Sequence, residues 1–171
     1  MKRTLKVVVT GPFGAGKTEF IRRVSEIKVV ATERKVTTRE KQTKAETTVA
    51  MDFGRLTVGR HVLHLYGTPG QARFEFMWDI LSREMHGFVI LVDSTDEKSF
   101  AQAKRLIGLF TRDHQVPFVV GANKQDVQGA LRPAEVRKAL GVRADVPVVG
   151  CVSTDPHSAK SVLAQLAQMM E

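Results

Sequence analysis

Residues 11–18 read Gly-Pro-Phe-Gly-Ala-Gly-Lys-Thr: a glycine, four residues, then Gly-Lys-Thr. The run follows the apolar stretch Leu5–Val9 and precedes the helix-compatible Glu19–Ser25. Strand, glycine-rich turn and helix N-terminus together make a phosphate-binding loop. A triphosphate needs backbone N–H groups converging on it, and side chains would obstruct that approach. Gly11, Gly14 and Gly16 supply the unusual dihedrals and the clearance. Lys17 would reach the β- and γ-phosphates, and the Thr18 hydroxyl would ligate Mg²⁺.

A second polar group, Asn123-Lys124-Gln125-Asp126, follows the apolar run Val116–Ala122. A carboxylate at Asp126 matches the N1–H and N2–H₂ donors of guanine. Adenine lacks that donor pair and would leave the buried charge unpaired. Lys124 can lay its aliphatic stem over a base. Asn123 can tie this loop to the phosphate loop.

These groups need elements that bring them together. Apolar, β-branched runs recur at Leu5–Thr10, Val49–Val58, His61–Tyr66, Phe88–Val92, Val116–Ala122 and Val146–Cys151. Helical patterns lie between most of them, at Lys17–Ser25, Phe74–Met85, Glu97–Asp113, Pro133–Leu140 and Ser158–Met170. The alternation predicts an α/β fold with a doubly wound, mostly parallel, six-stranded sheet. Only Gly59-Arg60 separates the second run from the third. Two residues cannot make a parallel crossover, so that pair must be an antiparallel edge hairpin. The polar stretch 26–47, rich in Thr, Lys and Glu, carries the weakest signal for regular structure. In open α/β sheets ligands sit beyond the carboxyl ends of the strands. The groups that follow the strands should therefore converge on one crevice.

Composition bounds the rest. The chain has 171 residues and 43% hydrophobic content, which suits one folded domain over 1–171. No run is long and apolar enough for a membrane span. Position 2 is Lys2, and the tail Ala-Gln-Met-Met-Glu lacks a prenylation cysteine, so neither common lipid anchor is expected. The single Cys151 cannot pair internally, which fits a reducing cytoplasm. The formal charge is +8, and eight of the 26 basic residues fall between Arg22 and Lys44. Glu26, Glu33 and Glu40 are interspersed, and aromatics are absent from the run. A solvated face with weak attraction to anionic surfaces fits better than nucleic-acid binding.

With both motifs in this order, the chain resembles the Ras-superfamily small GTPases over nearly its whole length. The segment Leu65-Tyr-Gly-Thr-Pro-Gly-Gln-Ala-Arg-Phe74 is most similar to a bacterial branch. That branch is related to gliding-polarity GTPases and is often encoded beside roadblock-domain proteins. The resemblance implies a guanine-nucleotide switch that hydrolyses GTP slowly with Mg²⁺, and regulatory protein partners, roadblock-domain proteins among them. The implied nucleotide contacts are Gly11, Phe13, Gly14, Ala15, Gly16, Lys17, Thr18, Glu19, Thr48, Gly70, Asn123, Lys124, Asp126, Val152 and Ser153. Lys17 and Gln71 take the catalytic roles, Gln71 by positioning the attacking water. Thr18 and Thr48 take the metal roles, Thr48 being chosen as the switch threonine over Thr37, Thr38, Thr43 and Thr47.

The chain departs from the family pattern in two places. The family's Asp-x-x-Gly-Gln stands here as Gly67-Thr-Pro-Gly-Gln71, so its metal-side aspartate is missing. Asp93 and Asp52 are the candidates to replace it. Phe13 occupies a loop position that is usually small; its ring either displaces Gln71 or points outward. These departures support an alternative reading, a nucleotide-bound scaffold that does not hydrolyse. A P-loop phosphotransferase is a third reading, but it leaves Asn-Lys-x-Asp unexplained. A literal Ser158-Ala159-Lys160 lies too far past its strand to be the family's base-contacting motif, and Val152-Ser-Thr154 takes that place. Phe74, Phe76, Met77 and Trp78 are expected to form part of a partner surface.

Overall fold

The computed structural model describes the backbone of residues 1–40, 43–68 and 81–171, and the side chains of 1–30, 51–68 and 81–171. Seven strands form one sheet: β1 (Arg3–Thr10), β2 (Val30–Glu40), β3 (Thr43–Val58), β4 (His61–Gly67), β5 (Gly87–Asp93), β6 (Phe118–Asn123) and β7 (Val148–Gly150). Their order is β2-β3-β4-β1-β5-β6-β7. Strands β4, β1, β5, β6 and β7 are parallel, and β3 runs antiparallel to β4. All six expected strands are present, and the hairpin turns at Gly59-Arg60 as its length requires. Gly59 takes φ 56°, which a glycine adopts without strain.

The seventh strand, β2, falls in the stretch where composition predicts little regular structure. It pairs with β3 from Val30↔Phe53 to Glu40↔Thr43. Threonine and valine at Thr32, Val36, Thr37, Thr38, Thr47 and Val49 are strand formers, so local propensity accommodates the hairpin. Its polarity conceals it from a search for core-facing strands. The pairing of β3 with β4 covers only Asp52–Val58. Residues 43–51 of β3 therefore pair with β2 alone, as a two-stranded arm beyond the end of β4.

Among the described residues four α-helices cover the sheet: α1 (Lys17–Val24), α2 (Phe100–Arg112), α3 (Pro133–Leu140) and α4 (Pro156–Met169). Alternation along the central strands feeds two cores. Val7, Val9, Val89, Leu91 and Val119 pack with Phe20, Ile21, Val162 and Leu166 of α1 and α4. Val8, Phe88, Ile90, Val92 and Val120 pack with Leu106, Phe110, Val136 and Leu140 of α2 and α3. Phe88–Val92 has no exposed residue, as a strand covered on both faces requires. Burying each such aliphatic side chain is worth about 1.5–3 kcal/mol. This rigid centre carries the loops at the carboxyl ends of β1, β4, β5 and β6. The expected helix at Phe74–Met85 lies mostly outside the described residues.

Candidate functional site

The loop from Gly11 to Gly16 leads out of β1 and into α1. Gly11 has φ 150°, and a Cβ there would lie 2.3 Å from the Leu91 carbonyl oxygen. Gly16 has φ 97°, and its Cβ would lie 2.6 Å from Asn123 Nδ2. Only glycine fits at either position. Gly16 is also the N-cap of α1 and offers no side chain to cap it. The first-turn N–H groups of Lys17, Thr18 and Glu19 are thus left facing a cavity of about 420 Å³, at the positive end of the helix dipole. Phe13, Gly14, Ala15, Asp52, Gly67 and Thr68 complete its lining. Glu19 turns aside to Arg23, with 2.6 Å between Oε1 and Nε.

Lys17 folds over this cavity. Its Nζ donates to the Gly11 carbonyl and, at 3.2 Å, to the Pro12 carbonyl. Burial lowers its pKa from the ordinary lysine value to about 8, and the Asp52 charge opposes part of that shift. A polyphosphate placed against Nζ restores the charged form. Nucleotide binding above pH 8 should therefore take up protons, and affinity should fall as pH rises from 8 toward 10. Calorimetry in buffers of different ionisation enthalpy measures the uptake. The sign for the nucleotide-free fold is opposite. Charged Lys17 is penalised by burial below pH 8, so stability from this group rises between about pH 8 and the ordinary lysine value.

Of the two candidates for the metal-side carboxylate, Asp52 stands across the hairpin from Gly67. Asp52 of β3 pairs in register with Gly67 of β4. A Cβ on Gly67 would stand 3.4 Å from the Asp52 Cβ. Asp52 Oδ2 accepts from Thr18 Oγ1 at 2.7 Å. A hydroxyl and a carboxylate are hard oxygen donors, and Mg²⁺ is held by one or two such groups together with substrate phosphates. The residues present therefore fit Mg²⁺, with Thr18 and Asp52 as the protein's share. Asp93, the other candidate, is committed elsewhere. Its Oδ2 accepts from Lys124 Nζ at 2.7 Å, and its Oδ1 from both the N–H and the hydroxyl of Thr95. Thr48 stands in β3 opposite Lys35, four residues before Asp52. That is about 13 Å of strand, so Asp52 and not Thr48 stands at Thr18 here.

The base-side loop is bolted to the phosphate loop by Asn123, which is buried. Its Nδ2 donates to the Ala15 carbonyl at 2.8 Å, and its Oδ1 accepts from the Ser153 N–H at 2.9 Å. Asp126 is exposed, with its carboxylate available to a base. Lys124 adopts φ 64° and reaches Asp93. Burial raises the Asp93 pKa, but the Lys124 and Thr95 hydrogen bonds outweigh it and hold the carboxyl below its usual range. Pinning the tip of Lys124 fixes its stem as a platform. Asp93→Asn should speed nucleotide release about fivefold, roughly 1 kcal/mol, for GDP and GTP alike. Displacement of a fluorescent nucleotide measures this.

Two details were not legible in the sequence. Gln125 closes the base loop, its Nε2 donating to Ser94 Oγ at 3.0 Å and to the Leu131 carbonyl at 2.9 Å. The N–H groups of Val152 and Ser153, expected to meet the base, are both engaged within the chain. Val152 donates to Ser158 Oγ at 2.8 Å and Ser153 to Asn123. Ser158-Ala-Lys160 lies inside the first turns of α4, so that literal motif holds the loop from behind. Ser153 Oγ is buried without a hydrogen-bond partner, beside Gly16 and Asn123. Phe13 is 73% exposed, so its ring points outward. Gly70, Gln71 and the aromatic cluster Phe74–Trp78 lie outside the described residues.

The family model for the ADP-ribosylation factor family (Arf) matches residues 1–170. The chain belongs to this family. Human ADP-ribosylation factor-related protein 1 is 33% identical over 100 residues, covering 57% of this Arf-family chain and 50% of the human protein. The chain thus spans about half the length of that relative. Human ADP-ribosylation factor-like protein 4D is 31% identical over 98% of this chain and 84% of its own. The mutual gliding-motility protein MglA of Myxococcus xanthus is 29% identical over 94% of this chain and 91% of its own. The solved Arl6 BBS3 small GTPase of Trypanosoma brucei, with a bound nucleotide analogue, shares the fold. Its TM-score is 0.75 at 22% identity, covering 98% of this chain and 97% of that one.

Proposed function

We propose that this Arf-family chain is a guanine-nucleotide switch that hydrolyses GTP to GDP and phosphate, slowly and with Mg²⁺. The observation that carries the reading is the Asn123 bridge, which joins a phosphate cradle to a guanine-matching carboxylate in one crevice. GTP would lie with its phosphates over the N–H groups of Gly14–Thr18 and its base against Asp126 and Lys124. Lys17 would hold charge at the β- and γ-oxygens as water attacks the γ-phosphate. Gln71 is the residue proposed to orient that water. Thr18 and Asp52 would hold Mg²⁺, which would supply charge neutralisation for the phosphates. Among the described residues the carboxylates that line the cavity are engaged, Asp52 with Thr18 and Glu19 with Arg23, so the reading gives positioning most of the rate.

Two observations favour hydrolysis over an inert scaffold. Asp52 offers the carboxylate that Gly67 lacks, and the outward Phe13 ring leaves the cradle open. The switch itself is assigned to the β2–β3 arm. A two-stranded ribbon is marginal by itself, so γ-phosphate contacts could redraw its pairing and bring Thr48 toward the metal side. Partner proteins, roadblock-domain proteins among them, would read the arm and the residues after Gln71. Among the described residues no helix is long and apolar enough to cross a membrane. A cytoplasmic location is proposed from the unpaired, buried Cys151.

Single-turnover hydrolysis of GTP, with Mg²⁺ and with a chelator, tests the reading. Phosphate release above the solution rate only with Mg²⁺ is expected. Tight GTP binding with no release above that rate would leave the scaffold standing. Equal affinity for ATP and GTP would remove the guanine assignment.

A further inference from the structure

A second cavity among the described residues lies apart from the nucleotide crevice. It has a volume of about 910 Å³, more than twice the phosphate cradle, and sits where β6 and β7 begin. In this fold the helices run back against the strands, so α2, α3 and α4 all end at this pole. Phe118, Leu140, Val142 and Met169 give it an aliphatic and aromatic lining, with Ile107 of α2 across from them. The size suits a small organic ligand rather than a water cluster.

The rim is basic. Arg137 is spent on the fold, its guanidinium donating to the Arg143 carbonyl at 2.8 Å and to the Val146 carbonyl at 2.7 Å. These bonds tie down the loop that forms one wall. Arg143 engages Asp145, the one carboxylate of the lining, at 3.2 Å. Lys104 is exposed and has no ion pair among the described residues. His114 stands on the same rim. Three helix C-termini bring partial negative charge to this pole, and the basic side chains offset it. The net arrangement is an apolar cleft whose mouth carries, among the described residues, one cation without an ion pair, Lys104.

We infer that this cleft binds a single-chain acyl carboxylate, with the chain along Ile107, Val142 and Met169 and the carboxylate at Lys104. The assignment rests on the cleft alone and is independent of GTP chemistry.

The test is calorimetric titration of the full GDP-loaded chain with decanoate below its micelle concentration, with decanol and acetate alongside. Decanoate is expected to bind saturably and to raise the thermal midpoint, decanol to bind about tenfold more weakly, and acetate to give no signal. Ile107→Trp and Val142→Trp, which fill the cleft, should abolish decanoate binding while GDP affinity stays unchanged. Lys104→Glu, an exposed change, should weaken decanoate about tenfold and decides the matter where a filled variant folds poorly. No saturable decanoate binding, or equal binding in Lys104→Glu, would overturn the site. Equal affinity for decanol and decanoate would overturn the carboxylate assignment.

Discussion

Asp126→Ala is expected to weaken both GDP and GTP by roughly 100-fold or more, with little change in thermal stability of the nucleotide-free chain. The carboxylate is exposed, so its removal leaves no hole in the core. On the proposed function, the variant would lose a pair of charge-assisted hydrogen bonds to the guanine edge, each worth about 1.5–3 kcal/mol. The selectivity of GTP over ATP should shrink with it. A site built to pair with a donor edge rejects a base that lacks it by about 10⁴ or more, and the proposed function assigns that rejection to Asp126. Equilibrium competition of GTP, GDP and ATP against a fluorescent guanine nucleotide measures both changes. Unaltered selectivity in the variant would place base recognition elsewhere.

The second large effect concerns the strand pair Asp52 and Gly67. Asp52→Ala should cost roughly 10–100-fold in Mg²⁺-dependent nucleotide affinity and a similar factor in hydrolysis. The cross-strand geometry permits a sharper experiment. Gly67→Asp in the Asp52→Ala background returns a carboxylate to the same corner from the opposite strand. A Cβ at 67 meets Ile21 Cδ1 at 2.9 Å, the far end of a flexible side chain that can move. The double variant should recover much of the Mg²⁺ dependence. Gly67→Asp alone sets two carboxylates side by side, which should destabilise the metal-free hairpin through like-charge repulsion and favour the metal-bound form. Magnesium titration followed by nucleotide release distinguishes the four proteins. A double variant as impaired as Asp52→Ala would show that more than the carboxylate's position matters there.

How far this site could be read without coordinates differs from residue to residue. The Gly11–Thr18 loop and Asn123–Asp126 were legible because each is local: neighbouring residues share one turn, and spacing fixes their geometry. The hairpin at Gly59-Arg60 was legible for the same reason. Its two-residue turn pairs Val58 with His61, and following that register back sets Asp52 opposite Gly67. The signal that Asp52 faces Gly67 was therefore present in the turn, while a list of nearby aspartates also admitted Asp93. Asp93 differs from Asp52 only in what folds against it. It meets Lys124, from another loop, and its charge is taken up there.

By itself the sequence determined the doubly wound architecture, the crevice at the strand ends and the kinship with small GTPases. These follow from backbone periodicity and short-range motifs, whose geometry is set within a few residues. Only the tertiary structure decided which aspartate faces Thr18, that Phe13 turns outward, and that Asn123 spans the two loops. It also decided that residues 30–40 pair with residues 43–53 as a two-stranded arm instead of running irregularly. Each of these depends on distant segments meeting, and a polar ribbon that pairs mostly with itself has no core face to mark it in the sequence.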